Sequence, residues 1–247
     1  MIKGILFDKD GTLVEFNTLW INSTYSVIYE LVKQYAIGDY VGKTNKIAHL
    51  IGLKGNEVDE SSLLAGKTSK DISIVIADSL HADQEIIHKK MNGLYYHYIQ
   101  EHSEDIKAIG NLAVLFKQLK KNQLKIGIVT SDNFDVTRLT ITELGIRKYI
   151  DFIGTADLYE KKPSREAMEV FCYAHSLKPD EVIHVGDTPV DMEFSKHGRF
   201  GVGVLSGVGS EETLRKYTPH IVESVQDLID NKGNFIYSDS LLELQAY

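Results

Sequence analysis

Cysteine is almost missing from this chain: Cys172 stands alone among 247 residues. That excludes an internal disulfide and any cysteine-built zinc cluster, and it suits a reducing, cytoplasmic setting. Long apolar runs are missing too. None reaches the length of a membrane-spanning helix, and the first residues enter an apolar strand without the charged and apolar segments of a signal peptide. We therefore expect a cytoplasmic protein with no membrane partner. Basic patches are absent and the formal net charge is -8, which argues against nucleic acid as a partner. Prolines number four, and no linker, internal repeat or low-complexity stretch marks a boundary. None of the nine histidines has HExxH spacing. His81, His88, His97 and His102 read as helix residues, and His184 as an interior strand residue.

What is present is a core-forming composition, 43% hydrophobic, enough for one large domain or two modest ones. From Lys125 onward, short apolar runs alternate with helical periods. LKIGIV (124–129), FIG (152–154), VIHV (182–185), FGVGV (200–204) and HIV (220–222) read as strands. VTRLTITELG (136–145), the stretch after Pro163 that carries Ala167, Val170, Phe171 and Ala174, the stretch through Met192 and Phe194, and residues 211–216 read as helices. This alternation predicts an α/β fold, a Rossmann-like parallel sheet with helices on both faces.

Residues 17–105 follow a different pattern. Trp20, Tyr25, Ile28, Leu31, Val32 and Tyr35 recur at helical spacing. So do Ile72, Val75, Ile76 and Leu80 behind a Thr68 cap with Asp71 in the first turn. Ile86, Ile87, Leu94, Tyr95, Tyr98 and Ile99 make a third stripe, and LYYHYI (94–99) reads as packing before it reads as pocket wall. No strong strand interrupts this region. We expect residues 1–16 and 106–230 to form the core and 17–105 an inserted all-helical cap. Residues 231–247 form a C-terminal extension, which is a docking strand, an interface segment or an ordinary terminus.

Ligands of open parallel sheets bind at the carboxyl ends of strands, so the residues after each apolar run carry the chemistry. Asp8 and Asp10 follow the first run; Thr130, Ser131, Asp132 and Asn133 follow the second. Gly186 and Asp187 follow VIHV, with Asp191 four residues on, and Lys161-Lys162 precede a helix. Carboxylates gathered at one edge repel unless a cation sits among them. A hard divalent ion with oxygen ligands is the natural choice, and Mg²⁺ suits a site that also takes a phosphate. A carboxylate beside it can attack phosphorus, while a hydroxyl and an amine hold the other phosphoryl oxygens. Residues i and i+2 of an extended strand end point the same way, so Asp8 and Asp10 share one side.

Four motifs stand in order: DKDGTL (8–13), IVTSDN (128–133), KKPSREAM (161–168) and VGDTPVDM (185–192). With them the chain resembles the haloacid dehalogenase superfamily of phosphotransferases from Met1 to about Asp230. Its GVGVLSGVGSEETL (201–214) and HIVESVQDL (220–228) stretches are most similar to phosphoglycolate-phosphatase-like members. The resemblance implies a Mg²⁺-dependent phosphatase that acts on a small phosphorylated metabolite through an aspartyl-phosphate, as a monomer or homodimer. It makes Asp8 the nucleophile and Asp10 the general acid–base, whose carbonyl also ligates the metal. Thr130 and Lys162 become the phosphate-binding hydroxyl and amine, with Lys161 the competing lysine. Asp187 becomes a metal ligand, and Asp191 a ligand or a carboxylate behind the ligands. Backbone N–H groups of Gly11, Ser131 and Asp132 are expected to add phosphate contacts. An acid at position 10 favours phosphate esters over dehalogenation. The helical cap is expected to close over the substrate and select it, with Lys67, in LLAGKTSKD (63–71), reaching it. Two alternatives remain: a sugar-phosphate mutase resembling β-phosphoglucomutase, with the same motifs and cap, and a non-catalytic binding protein on this scaffold.

Overall fold

The computed structural model describes residues 1–238. Four consecutive buried residues, Gly4–Phe7, form β1. Then comes a mainly helical insert: α1 (Phe16–Tyr35), α2 (Tyr40–Leu50), β2 (Leu53–Lys54), β3 (Glu57–Val58), α3 (Leu63–Gly66), α4 (Ser69–Leu80) and α5 (Gln84–Glu101). The chain returns through α6 (Leu112–Lys121) to β4 (Lys125–Thr130), α7 (Phe134–Glu143), β5 (Phe152–Thr155), α8 (Glu166–His175) and β6 (Val182–Gly186). It closes with α9 (Pro189–Ser195), β7 (Gly201–Val204), α10 (Glu211–Leu214) and β8 (Ile221–Val222).

The main sheet is parallel throughout, in the order β5-β4-β1-β6-β7-β8. Alternation along β1 explains why it is central. Ile5 and Phe7 join Ile126, Ile128, Ile183, Val185 and Phe116 on one face, while Leu6 joins Val129, Met168 and Phe171 on the other. Both faces are covered, as parallel sheets require. Phe7 is in register with Ile128 of β4 and Val185 of β6. The loops after these three strands therefore leave the sheet side by side.

The insert has its own apolar cluster, in which Val27, Ile28 and Leu31 of α1 meet Ile76 of α4 and Ile87, Met91 and Tyr95 of α5. Two of its elements escape the sequence pattern. Helix α2 buries only Thr44, Ile47 and Ala48, too few to draw an apolar stripe. The expectation of an all-helical cap is also corrected, because β2 and β3 pair as an antiparallel hairpin. Two-residue strands are too short to show alternation, and the turn rests on Gly55, whose φ of +58° suits a residue without Cβ. The two connections to the insert are bonded to each other: Glu15 N–H donates to Lys107 O at 2.8 Å and Ile109 N–H to Leu13 O at 2.9 Å.

The core continues past residue 230, where we expected it to stop. Phe235 and Tyr237 are buried against Phe200 and Leu228 of the main cluster, because two large aromatic side chains cover apolar surface that would otherwise face water. The first part of the extension is thus packed core, and positions 239–247 lie outside the described residues. Among the described residues, no helix is long and apolar enough to cross a membrane.

Candidate active site

Asp8 is the first residue beyond β1, and its N–H donates to Val185 O of β6 at 2.8 Å. Thr130 ends β4 and Asp187 follows β6 by one residue, so the register of the three strands brings them together. The carboxylates of Asp8, Asp187 and Asp191 have ligand atoms within 4.8 Å of one another, and all three residues are buried. Lys162 reaches the same place from the loop before α8. Its Nζ donates to Asp8 Oδ1 and to Asp191 Oδ1, both at 2.6 Å. Lys161 points elsewhere: it crosses to the insert and binds both oxygens of Asp71 at 2.7 and 2.8 Å. Asp71 is also the capping-box partner of Thr68 at the start of α4.

The two downstream aspartates differ in their surroundings. Asp191 Oδ1 takes Lys162 and His184 Nε2 (2.9 Å), and Oδ2 takes the Thr188 N–H (3.1 Å) and hydroxyl (2.6 Å). Burial alone would raise its pKa, but the Lys162 ammonium and the His184 bond outweigh burial and hold it well below the usual carboxylate range. Among the described residues, Asp187 accepts only from Thr12 Oγ1 at 3.1 Å and Val208 N–H at 2.9 Å. Burial, with Asp8 and Asp191 adding repulsion, pushes it well above that range. Asp8 is raised to about 7, chiefly by burial, with Lys162 opposing and Asp191 and Asp10 adding to the rise. One ammonium, Lys162, faces three buried carboxylates and touches only Asp8 and Asp191; the oxygen donors around Asp187 fit a hard divalent cation. Two loops close tightly on Asp187: a Cβ at Gly11, which has a φ of +80°, or at Gly207 would overlap its carboxylate.

Three backbone expectations need revision or restatement. The Gly11 N–H donates to Val14 O at 2.8 Å, because the turn after Asp10 closes on itself, so that amide is not presented to a phosphate. The Asp132 N–H donates to Thr130 Oγ1 at 3.2 Å and is likewise engaged. Ser131 lines the cavity over the aspartates.

That cavity encloses about 70 Å³ between core and insert. Asp8, Asp10, Thr130, Ser131, Asp132, Lys162 and Asp191 line its core side; Phe16, Trp20, Leu64, Lys67, Ser69, Ile72, Asn92 and Tyr95 are among those on the insert side. Lys67 is exposed and sits at the C-terminal end of α3, directly before the Thr68 cap. Tyr95 serves twice, packing in the insert's cluster and facing the cavity. Glu60 of the insert accepts from Ser210 N–H at 2.9 Å and Thr213 Oγ1 at 3.0 Å, so with Lys161–Asp71 the two parts are bonded at two separate places.

Sequence reasoning does not find Lys9, Thr12 or Thr188. Thr12 and Thr188 carry a signal, since each stands beside a motif aspartate and binds one. Lys9 carries none: a lysine between two aspartates reads as solvated, yet here it is fully buried. Its Nζ is 2.7 Å from Asp10 Oδ1 and 3.2 Å from Asp132 Oδ2.

The family model described as haloacid dehalogenase-like hydrolase matches residues 5–204. A pyrophosphatase PpaX of Bacillus velezensis is 27% identical over 235 residues, covering 94% of this chain and 97% of that protein. A phosphoglycolate phosphatase of Shigella dysenteriae is 24% identical over 243 residues, covering 94% and 93%. Among solved structures, a β-phosphoglucomutase of Clostridium difficile superimposes with a TM-score of 0.67 at 18% identity, covering 100% of each chain. At that identity the likeness is one of fold.

Proposed function

The chain belongs to the haloacid dehalogenase-like hydrolase family and is a hydrolase acting on phosphate esters; from that premise we propose that it hydrolyses a small phosphate monoester in two displacements on Asp8, with Mg²⁺ as cofactor. The observation that carries this reading is the meeting of Asp8, Lys162 and Asp187 at the ends of adjacent strands. In the first displacement an Asp8 oxygen bonds to phosphorus while the ester oxygen departs, taking its proton from Asp10. In the second, water gives a proton to Asp10 and attacks phosphorus. Inorganic phosphate leaves and the Asp8 carboxylate is restored. The Lys162 ammonium and the Thr130 hydroxyl hold the phosphoryl oxygens as charge shifts among them. Asp191 fixes Lys162, and its four bonds favour that positioning role over direct metal ligation. Asp8, Asp187 and the Asp10 carbonyl would hold Mg²⁺, which when bound would offset the carboxylate charge and polarise the phosphoryl group.

The insert supplies the substrate's other end. The insert forms one wall of the cavity and so bounds the leaving group, for which a short acid of the phosphoglycolate kind is proposed. Excluding water protects the aspartyl-phosphate until its own hydrolysis. A panel of phosphate esters that includes phosphoglycolate and pyrophosphate, assayed with Mg²⁺, tests the reading. A hexose bisphosphate requirement would mark a mutase instead, and no metal-dependent turnover on any member would mark a binding protein. Lys67 is proposed as the contact to an anionic or hydroxylated end of the substrate. Lys67→Ala should lower kcat/KM on the best substrate by about 10- to 100-fold, the worth of a hydrogen bond to a charged group, and barely change it on an aryl phosphate. Equal losses on both, or none, would remove Lys67 from that role.

A further inference from the structure

Lys9 has no part in the reaction as written, yet it is fully buried and paired beside it. The residue is 0% exposed. Its ammonium lies 2.7 Å from Asp10 Oδ1, 3.2 Å from Asp132 Oδ2 and 5.3 Å from the centre of the Trp20 ring. All three partners line the cavity, and Lys9 stands behind them. Lysine is almost never fully buried unless paired, and an apolar side chain of similar volume is often at least as stable as a buried ion pair. Stability therefore does not account for an ammonium here, whereas fixing the orientation of its partners does.

We propose that Lys9 is a positioning residue, whose ammonium holds one oxygen of Asp10 and leaves the other to exchange the proton, and which ties that arrangement to the insert through Trp20. Trp20 lies in the first turns of α1, just beyond the paired connections at 13–15 and 107–109. An insert that swings away on those connections would take the ring from Lys9, and Asp10 would lose part of its support. The acid–base group is then fully held only when the cavity is closed.

The inference rests on Asp10 as the acid–base, and the experiment separates the two ideas. A displaced Asp10 slows both of its proton transfers. With an alkyl phosphate, Lys9→Met should lower kcat by on the order of 10²-fold, the cost of misplacing a reacting group by about an ångström, with KM little changed. With 4-nitrophenyl phosphate the leaving group departs without a proton, so Asp8 should be phosphorylated quickly and dephosphorylated slowly. A burst of nitrophenolate near one equivalent per site should then precede the steady state. Asp10→Asn should show the same dependence on leaving group. If Asp10→Asn lacks it, the acid–base reading falls, and the role of Lys9 with it. If Asp10→Asn has it and Lys9→Met does not, the role of Lys9 alone is overturned. Should Lys9→Met fail to fold, because Asp10 and Asp132 are left uncompensated, Lys9→Met combined with Asp132→Asn removes one of the two orphaned charges. That double variant should fold and show the burst; wild-type turnover in it would overturn the proposal.

Discussion

Asp8→Asn should lose turnover by about 10⁴-fold or more while keeping its fold. The loss is large because an amide oxygen cannot take the place of the carboxylate that bonds to phosphorus, and removal of a nucleophile costs on this scale where it has been measured. The fold should survive for a reason visible in the site. Asp8 is buried and raised to about 7, so a neutral amide of the same shape removes a charge that was costly to desolvate. Lys162 keeps Asp191 as its partner. A melting temperature near that of the wild type, with phosphatase activity at background, is the expected pair of results. Substantial turnover in a folded Asp8→Asn protein would exclude Asp8 as nucleophile.

Chelation should have an effect of similar size. EDTA should abolish turnover and Mg²⁺ should restore it; full activity in a metal-free preparation would refute the cofactor. Stability carries a second and independent signature. In the metal-free protein burial raises Asp8 from 3.8 to about 7, and burial also raises Asp187 well above 3.8. Between these pH values the folded chain holds protons that the unfolded chain has released. Stability must then fall as pH rises through that window, the reverse of a salt-bridged carboxylate whose pKa is lowered. Mg²⁺ competes with those protons, so the stabilisation it confers should grow from pH 5 to pH 8, reaching about 2.7 kcal/mol at a hundredfold excess over Kd. Melting curves in EDTA and in Mg²⁺ at several pH values measure it. A gap between the curves that does not change with pH would contradict the metal's placement among these carboxylates.

The parts of the site that could be read in the sequence are those that depend on strand ends. Asp8, Thr130 and Asp187 each end an apolar run, and a parallel sheet with β1 between β4 and β6 brings such ends together. Lys162 and Asp191 were legible as motif members, but the bond between them was not, since nothing local links the loop before α8 to α9. The turn amides of Gly11 and Asp132 misled because a turn can satisfy its own donors. Helix α2 and the β2–β3 hairpin bury too little or run too short to leave a period. Lys9 is the sharpest case. Composition and spacing treat a lysine as solvated surface, and only the convergence of Asp10, Asp132 and Trp20 from three separate segments makes it a buried centre.

The central claim is a covalent phosphate on Asp8, and trapping it is the most direct measurement. The wild-type enzyme is mixed with Mg²⁺ and a labelled phosphate ester, quenched in acid during turnover, and reduced with borohydride, which converts an aspartyl phosphate to homoserine. Peptide mapping then reads the modified position. The account predicts acid-stable label on the protein during turnover and conversion at position 8 alone. Conversion at Asp10 or Asp187 instead, or undiminished turnover with no label on the protein under any quench time, would contradict it.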